Sequence, residues 1–408
     1  MSRRWLLSVV PALVAAILIA LTTPTTALAA KSKPTAKPGD AKSKPAAPAA
    51  NGLAISTQAR HALVVEAETG AVLFERRADE RMPPASMSKM MTAYVVFDML
   101  KQGRAKLADE LPVSERAWKL GGSKMFVQVG GRIKIGDLIR GMIVQSGNDS
   151  CLVLAEGLAG SEAAFVDLMN ERAPKIGLKN SHFANVDGLP HPDHWMTARD
   201  LAILALRTIA DFPEYYHYYS EKGFSFSGIE QGNRNPLLYS TSGTDGLKTG
   251  HTEEAGYSLT ASVLRDKRRI VLVMSGLPSM KSRAQEGERL AEWAFREFND
   301  YRLFAAGDKV DDADVWLGAS PKVPITVAED VLVTLPRRSR KDMKVTISYD
   351  RPVPAPVMKG DKLGKLVVTV PEWPTVEVPL FAAANVERIG TFGRMATLAA
   401  YLIWGNKR

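Results

Sequence analysis

Ser86 and Lys89 stand three residues apart behind Pro83-Pro84-Ala85. Side chains at i and i+3 of a helix share one face, so the hydroxyl and the amine would touch there. That pairing suits a nucleophile with its base. A lysine at its ordinary pKa near 10.4 is charged and cannot take a proton. Burial and a second cation would push it toward neutrality. Two further short patterns, Ser146-Gly147-Asn148 and Lys248-Thr249-Gly250, complete a set. SxxK, SxN and KTG in this order are a strong signature of acyl-transfer chemistry on a serine, though each alone is weak. Lys248 is the expected second cation beside Lys89. Backbone N–H groups at a helix start can hold an oxyanion at Ser86. Ser146 can relay a proton between Lys89 and a leaving nitrogen, and Asn148 can bond a peptide backbone. Lys248 and Thr249 suit a substrate that ends in a carboxylate, and Gly250 lets a ligand approach the strand closely. This chemistry calls for no metal and no cofactor.

These residues need elements to hold them. HALVVEAETGAVLFERRAD reads as two strands about the turn Glu68-Thr69-Gly70. SKMMTAYVVFDMLKQG reads as an apolar helix ending near Gly103. IGDLIRGMIVQSGNDSCLVLAEGLAG reads as two helical stretches interrupted at Ser146-Gly147-Asn148. SEAAFVDLMNERAPKIG and TARDLAILALRTIAD are further helices, the second opened by Thr197 as N-cap with Asp200 at capping-box spacing. AGYSLTASVLRDKRRIVLVMSGL is strand, turn and strand, and KSRAQEGERLAEWAFREF closes the unit as a helix. The expected class is α+β, helices around an antiparallel sheet, over residues 51–300. Short β runs divided by Pro, Gly and charges predict a small all-β domain at 301–382.

The composition, 46% hydrophobic and 24% charged, is that of a folded protein. Its net charge of +9 hints at nucleic acid, but the distribution removes the hint. Residues 1–50 carry seven Lys/Arg against one Asp, and residues 385–408 carry four against one, which accounts for the whole excess. A neutral body excludes a nucleic-acid partner. Arg3 and Arg4, the apolar stretch Trp5 to Leu21 and Ala27-Leu28-Ala29 make a secretory signal peptide, residues 1–29, cleaved after Ala29. Residues 30–50, rich in Lys, Pro and Ala, predict a disordered linker. Residues 383–408 predict an amphipathic helix with an apolar side through Val386, Ile389, Met395, Ala399 and Leu402 and a basic end. Such a helix suits a membrane surface. The single cysteine, Cys151, allows no intramolecular disulfide and reads as a small buried residue. Pro190 and Pro192 forbid an HExxH-type helix through His191 and His194, so the two histidines read as loop residues and not metal ligands. Asn233-Arg234-Asn235 reads equally as a substrate contact or a surface turn.

The stretches PPASMSKMMTAYVVF, LIRGMIVQSGNDSC and DGLKTGHTEEAGYSLTAS resemble the low-molecular-mass D-alanyl-D-alanine carboxypeptidases of the penicillin-binding protein 5 type, and the resemblance covers nearly the whole chain. It implies an acyl-serine enzyme that removes the terminal D-Ala of peptidoglycan stem pentapeptides and is acylated by β-lactam antibiotics. It implies export to the periplasmic face of the cytoplasmic membrane. Carried over by motif, Ser86 is the nucleophile, Lys89 the base, Ser146 and Asn148 the second element, and Lys248, with Thr249, Gly250 and His251, the substrate-binding strand. The N–H groups of Ser86 and His251 would form the oxyanion hole. The 30–50 linker departs from the family pattern. A D,D-endopeptidase would carry the same motifs. A β-lactamase of class A would need a deacylating Glu, and FANVDGLPHPDHWMTARD has none. A non-enzymatic wall-binding protein has no use for a neutral lysine beside a serine.

Overall fold

The computed structural model describes residues 55–391, 393 and 395. A hairpin, β1 (His61–Glu66) and β2 (Val72–Arg76), opens the α+β part. A 3₁₀ turn, Ala85–Ser88, leads into α1 (Lys89–Lys101). Eleven of the thirteen residues of α1 are buried, which makes it a central helix and not a surface one. It stops before Gly103, whose φ of 70° is left-handed. A small hairpin, β3 (Glu110–Pro112) with β4 (Arg132–Lys134), encloses α2 (Glu115–Lys119). Then come α3 (Ile135–Ile143), α4 (Asn148–Ala159), α5 (Glu162–Lys175) and α6 (Ala198–Asp211). Thr197 caps α6 by accepting from the Asp200 N–H. The Asp200 carboxylate does not reach back to complete a capping box. It accepts instead from the Lys179 and Asn180 N–H groups and the Ser181 hydroxyl.

The short α7 (Pro213–Tyr216), the hairpin of β5 (Gly223–Phe226) with β6 (Ile229–Gly232), and α8 (Leu237–Ser240) precede β7 (Thr244–Thr252), β8 (Gly256–Arg265) and β9 (Arg268–Leu277). The main sheet runs β2-β1-β9-β8-β7, all antiparallel. Its strands read as apolar on both faces because both are covered. One face packs on α6 and sends Leu63, Val65, Val271 and Val273 into a core shared with α1, α3, α4 and α5. The other packs Leu259, Ala261, Leu272 and Met274 under Leu290, Ala291 and Ala294 of α9 (Met280–Glu297).

α9 passes directly into β10 (Phe298–Phe304), which pairs with β13 (Val331–Pro336). The other strands of this part are β11 (Lys309–Trp316), β12 (Lys322–Thr326), β14 (Lys344–Tyr349), β15 (Val353–Pro354), β16 (Lys362–Val370) and β17 (Trp373–Ala382). They form a six-stranded sheet, β14-β16-β17-β12-β11-β15, over a core of Val, Leu, Ile and Ala. The molecule is thus an α+β domain followed by a β-rich domain. Polar groups tie the two. The Thr69 and Thr334 hydroxyls lie 2.5 Å apart, and Thr334 donates to Asp300 at 2.8 Å. Asp300 pairs with Arg268 at 3.3 Å, and the Trp373 ring, its Nε1 held by the Thr334 carbonyl, packs against Phe298 at the seam.

The amphipathic helix expected over 383–408 does not begin at 383. Residues 383–390 are irregular, and they bridge back to the β-rich part through Val357 with Val386 and Gly318 with Arg388. Val386 is buried in that core, so it lines no free apolar face. Helical geometry starts at Thr391. The expected signal peptide, the expected linker and the rest of the expected C-terminal helix lie outside the described residues. Among the described residues no helix is long and apolar enough to cross a membrane.

Candidate active site

The spacing of Ser86 and Lys89 is realised across the junction of two helix types. Ser86 lies in the tight 3₁₀ turn, and Lys89 is the first residue of α1. Lys89 Nζ donates to Ser86 Oγ at 2.8 Å, to Asn148 Oδ1 at 2.8 Å and to the Asp187 carbonyl at 2.5 Å. Three acceptors suit the protonated amine but supply no countercharge; the neutral amine keeps two of these bonds as donor and accepts from the Ser86 hydroxyl in the third. Lys89 is 1% exposed. Burial lowers its pKa, the Asp187 carboxylate opposes, and the Arg234 guanidinium adds to the decrease.

The second motif occupies the break between α3 and α4. Ser146 takes a left-handed φ of 67°, so its hydroxyl leaves the helix direction. Gly147 follows because a Cβ there would meet Ser150 Oγ at 2.7 Å and the Met125 nitrogen at 3.1 Å. Asn148 starts α4 with both ends of its amide engaged by the protein: Oδ1 on Lys89 and Nδ2 on the Gly121 carbonyl at 2.9 Å. The sequence expectation gave that amide to a peptide backbone; here it holds the lysine against the 121–123 loop. Asp149 carries the rest of this loop. Its carboxylate accepts from the Met125, Phe126 and Val127 N–H groups.

Lys248, on β7, is 2% exposed and donates to Ser146 Oγ at 2.9 Å and the Thr249 carbonyl at 3.1 Å. Its pKa falls well below the ordinary value, first through burial and then through the charges of Lys89 and Arg234. Ser146 therefore bonds to Lys248. Gly250 is crowded, but by the chain itself. A Cβ there would lie 2.9 Å from the Pro84 carbonyl and 3.2 Å from Met87, so the strand edge is pressed against the turn that carries Ser86. Thr249 is buried beside this contact, while His251 is exposed and its ring tilts over Tyr257 at 4.0 Å.

The structure thus brings Ser86, Lys89 and Asn148 into one hydrogen-bonded group and Ser146 with Lys248 into another. Arg234 lies between the readings weighed for it. Asn233 and Asn235 hold the segment through bonds to the Glu221 and Gly246 carbonyls, and Arg234 donates to Ser123 Oγ at 2.6 Å on the loop beside Asn148. It acts at a distance on both lysines. Cys151 is fully buried on α4, donates to the Gly147 carbonyl and has its pKa pushed up to about 12 by burial, so it is no nucleophile.

The D-alanyl-D-alanine carboxypeptidase family profile matches residues 44–278, and that of the penicillin-binding protein 5 C-terminal domain matches residues 298–388. The chain is similar to the D-alanyl-D-alanine carboxypeptidase DacC of Escherichia coli (strain K12), 38% identical over 348 residues that cover 83% of this chain and 87% of the relative. It is 36% identical to DacA of Haemophilus influenzae over 82% of this chain and 86% of that protein. The crystal structure of penicillin binding protein 5 from Haemophilus influenzae superimposes with a TM-score of 0.75 at 36% identity, covering 82% of this chain and 99% of the other.

Proposed function

The chain belongs to the D-alanyl-D-alanine carboxypeptidase family and is a serine D-Ala-D-Ala carboxypeptidase of the penicillin-binding protein 5 type; from that premise we propose how its residues divide the work. Ser86 Oγ attacks the carbonyl carbon of the penultimate D-Ala, and its proton passes to the neutral Lys89 amine. The carbonyl oxygen becomes an anion facing the N–H groups of Ser86 and His251. The C–N bond then breaks, and the proton held by Lys89 passes by way of Ser146 to the leaving amine of the terminal D-Ala, which leaves Lys89 neutral again. A water, giving its proton to Lys89, attacks the acyl-serine, and the proton returns to Ser86 Oγ. Lys248 and Thr249 receive the substrate carboxylate. An incoming carboxylate restores the charge that burial takes from Lys248. β-Lactams acylate the same serine.

The observation that carries this reading is the buried Lys89 amine, 2.8 Å from Ser86 Oγ and with its pKa lowered. Mass spectrometry of the protein mixed with a D-Ala-D-Ala pentapeptide tests it. Free D-Ala and a transient adduct on Ser86 are expected, and an adduct elsewhere would overturn it. The domain limits 51–300 and 301–382 are part of the same reading, as is export to the periplasmic face of the cytoplasmic membrane with anchoring by the segment beyond residue 390. A chain cut after Gly390 should leave the membrane fraction and keep its activity. Full retention on membranes would place the anchor elsewhere.

A further inference from the structure

The segment from His182 to Trp195, closed on itself by the paired backbone bonds of those two residues, lies along the start of α1. It touches the nucleophile turn and the first turn of α1 at four places. Gly188, left-handed at φ 80°, passes so near that a Cβ would fall 1.9 Å from the Ala85 carbonyl oxygen and 3.1 Å from the Ser86 nitrogen. The Asp187 carbonyl accepts from Lys89, and the Val186 carbonyl accepts from Thr92 at 2.6 Å. The fourth contact joins two side chains. His194 Nε2 lies 2.7 Å from the hydroxyl of Ser88, the residue between the two that react.

The His194 ring has a partner at each nitrogen and an aromatic neighbour. The Ala184 N–H points at Nδ1 at 3.3 Å, and a backbone N–H can only donate, so Nδ1 is bare. The neutral ring then carries its proton on Nε2 and donates to Ser88 Oγ. Phe183 meets the ring edge to face at 5.6 Å. His194 is 5% exposed and Ser88 is fully buried. The turn that receives this donor has little support of its own. Neither the 3₁₀ turn nor α1 has a side-chain cap, and Ala85 enters the turn at a left-handed φ of 50°.

We propose that His194 is a positioning residue for acylation: through Ser88 it holds the Ser86–Lys89 turn in the register in which hydroxyl and amine meet. It touches no substrate. The inference rests on the assignment of Ser86 and Lys89 made above. A positioned nucleophile gains much of its rate from geometry, and a shift near 1 Å costs about a hundredfold.

The test is the second-order rate of labelling by fluorescent penicillin in the full chain, with thermal unfolding followed alongside. His194→Phe, which keeps the volume and loses the donor, should acylate about tenfold to a hundredfold more slowly. His194→Gln, whose amide N–H reaches the same place, should recover most of that rate. Ser88→Ala should slow labelling to a similar extent, and the double variant His194→Phe/Ser88→Ala should be no slower than the worse single one. Wild-type rates in a folded His194→Phe protein, a Gln variant as slow as the Phe variant, or multiplying single effects would each overturn the proposal. Should His194→Phe fail to fold, Ser88→Ala and His194→Gln decide it: a wild-type rate for Ser88→Ala, or a slow Gln variant, overturns it. Labelling of Ser86→Ala would instead overturn the nucleophile assignment, which keeps the two failures apart.

Discussion

In the peptidase domain Lys89 and Lys248 are all but sealed from solvent, together with Ser88, Ser146, Asn148, Asp149, Asp187 and His194. In the β-rich domain, among the described residues, the one buried polar residue of the strands is Thr334, and it faces the joint with the other domain. The difference follows from what each part does. A core of Val323, Ile325, Val333, Leu335 and Leu366 gains from burial and asks nothing of hydrogen bonding. A buried ammonium must find partners or give up its charge. Lys89 has acceptors on three sides and still sits below its ordinary pKa. The peptidase domain therefore keeps polarity where an apolar core would be more stable, and that polarity is the basis of its reactivity.

Substitutions in the two domains should separate rate from stability. Lys89→Ala should lower acylation by more than about a hundredfold, because the serine loses its base. The protein should still unfold cooperatively. Penicillin labelling beside a thermal melt measures both, and near-normal labelling would show that another group takes the proton. Leu366→Ala, in the β-rich core, should do the reverse: about 2–5 kcal/mol of stability lost and labelling unchanged below the melting range. Denaturant unfolding with activity assays would detect a departure from that split.

A smaller contrast concerns acid. Burial pushes the His194 pKa down to about 4 from 6.5. Its neutral form is the folded form, so stability is complete above 6.5 and is lost as pH falls toward 4, by about 3 kcal/mol. Glu66 and Asp187, raised by burial, act in the opposite sense. The difference between wild type and His194→Gln isolates the histidine, and wild type should lose more on acidification. Parallel curves from pH 7 to pH 4 would remove the effect. The smallest change is expected from Lys248→Ala. One charge-assisted hydrogen bond is worth about 1.5–3 kcal/mol, so kcat/KM should fall by at least about tenfold. The loss should vanish for a substrate whose C-terminus is amidated. If wild type handles free-acid and amidated peptides alike, Lys248 does not read the carboxylate.

Much of the fold was readable along the chain because its signals are local. The central helix after Ser86, the break at Ser146 and the β8–β9 hairpin each announce themselves by period or by turn residues. What the sequence left out is contact between distant segments. Asn148 and Lys89 are 59 residues apart, and Ser88 and His194 are 106 apart; nothing local predicts either pairing. Gly250 was expected to let a ligand come close to the strand; in the structure the group that comes close is the Pro84–Met87 turn, from a segment with no sequence link to it. Val386 misled in the other direction. Its helical spacing with Ile389 suggested a free apolar face, while tertiary packing claimed it for the β-rich core. A truncation after Leu380 would therefore injure that core, which is why the cut belongs after Gly390.

The passage from α9 into β10 has a consequence for access. α9 ends at Glu297 and β10 begins at Phe298, and the Thr69–Thr334–Asp300–Arg268 network crosses the same seam. The joint has no slack. A body held at its far end by a slack joint sweeps a sphere of targets, whereas one with a stiff joint works at a set height and tilt. If the residues beyond 390 are fixed to a surface, the β-rich domain becomes a gauge, and Ser86 meets those pentapeptides that hang at one distance from that surface.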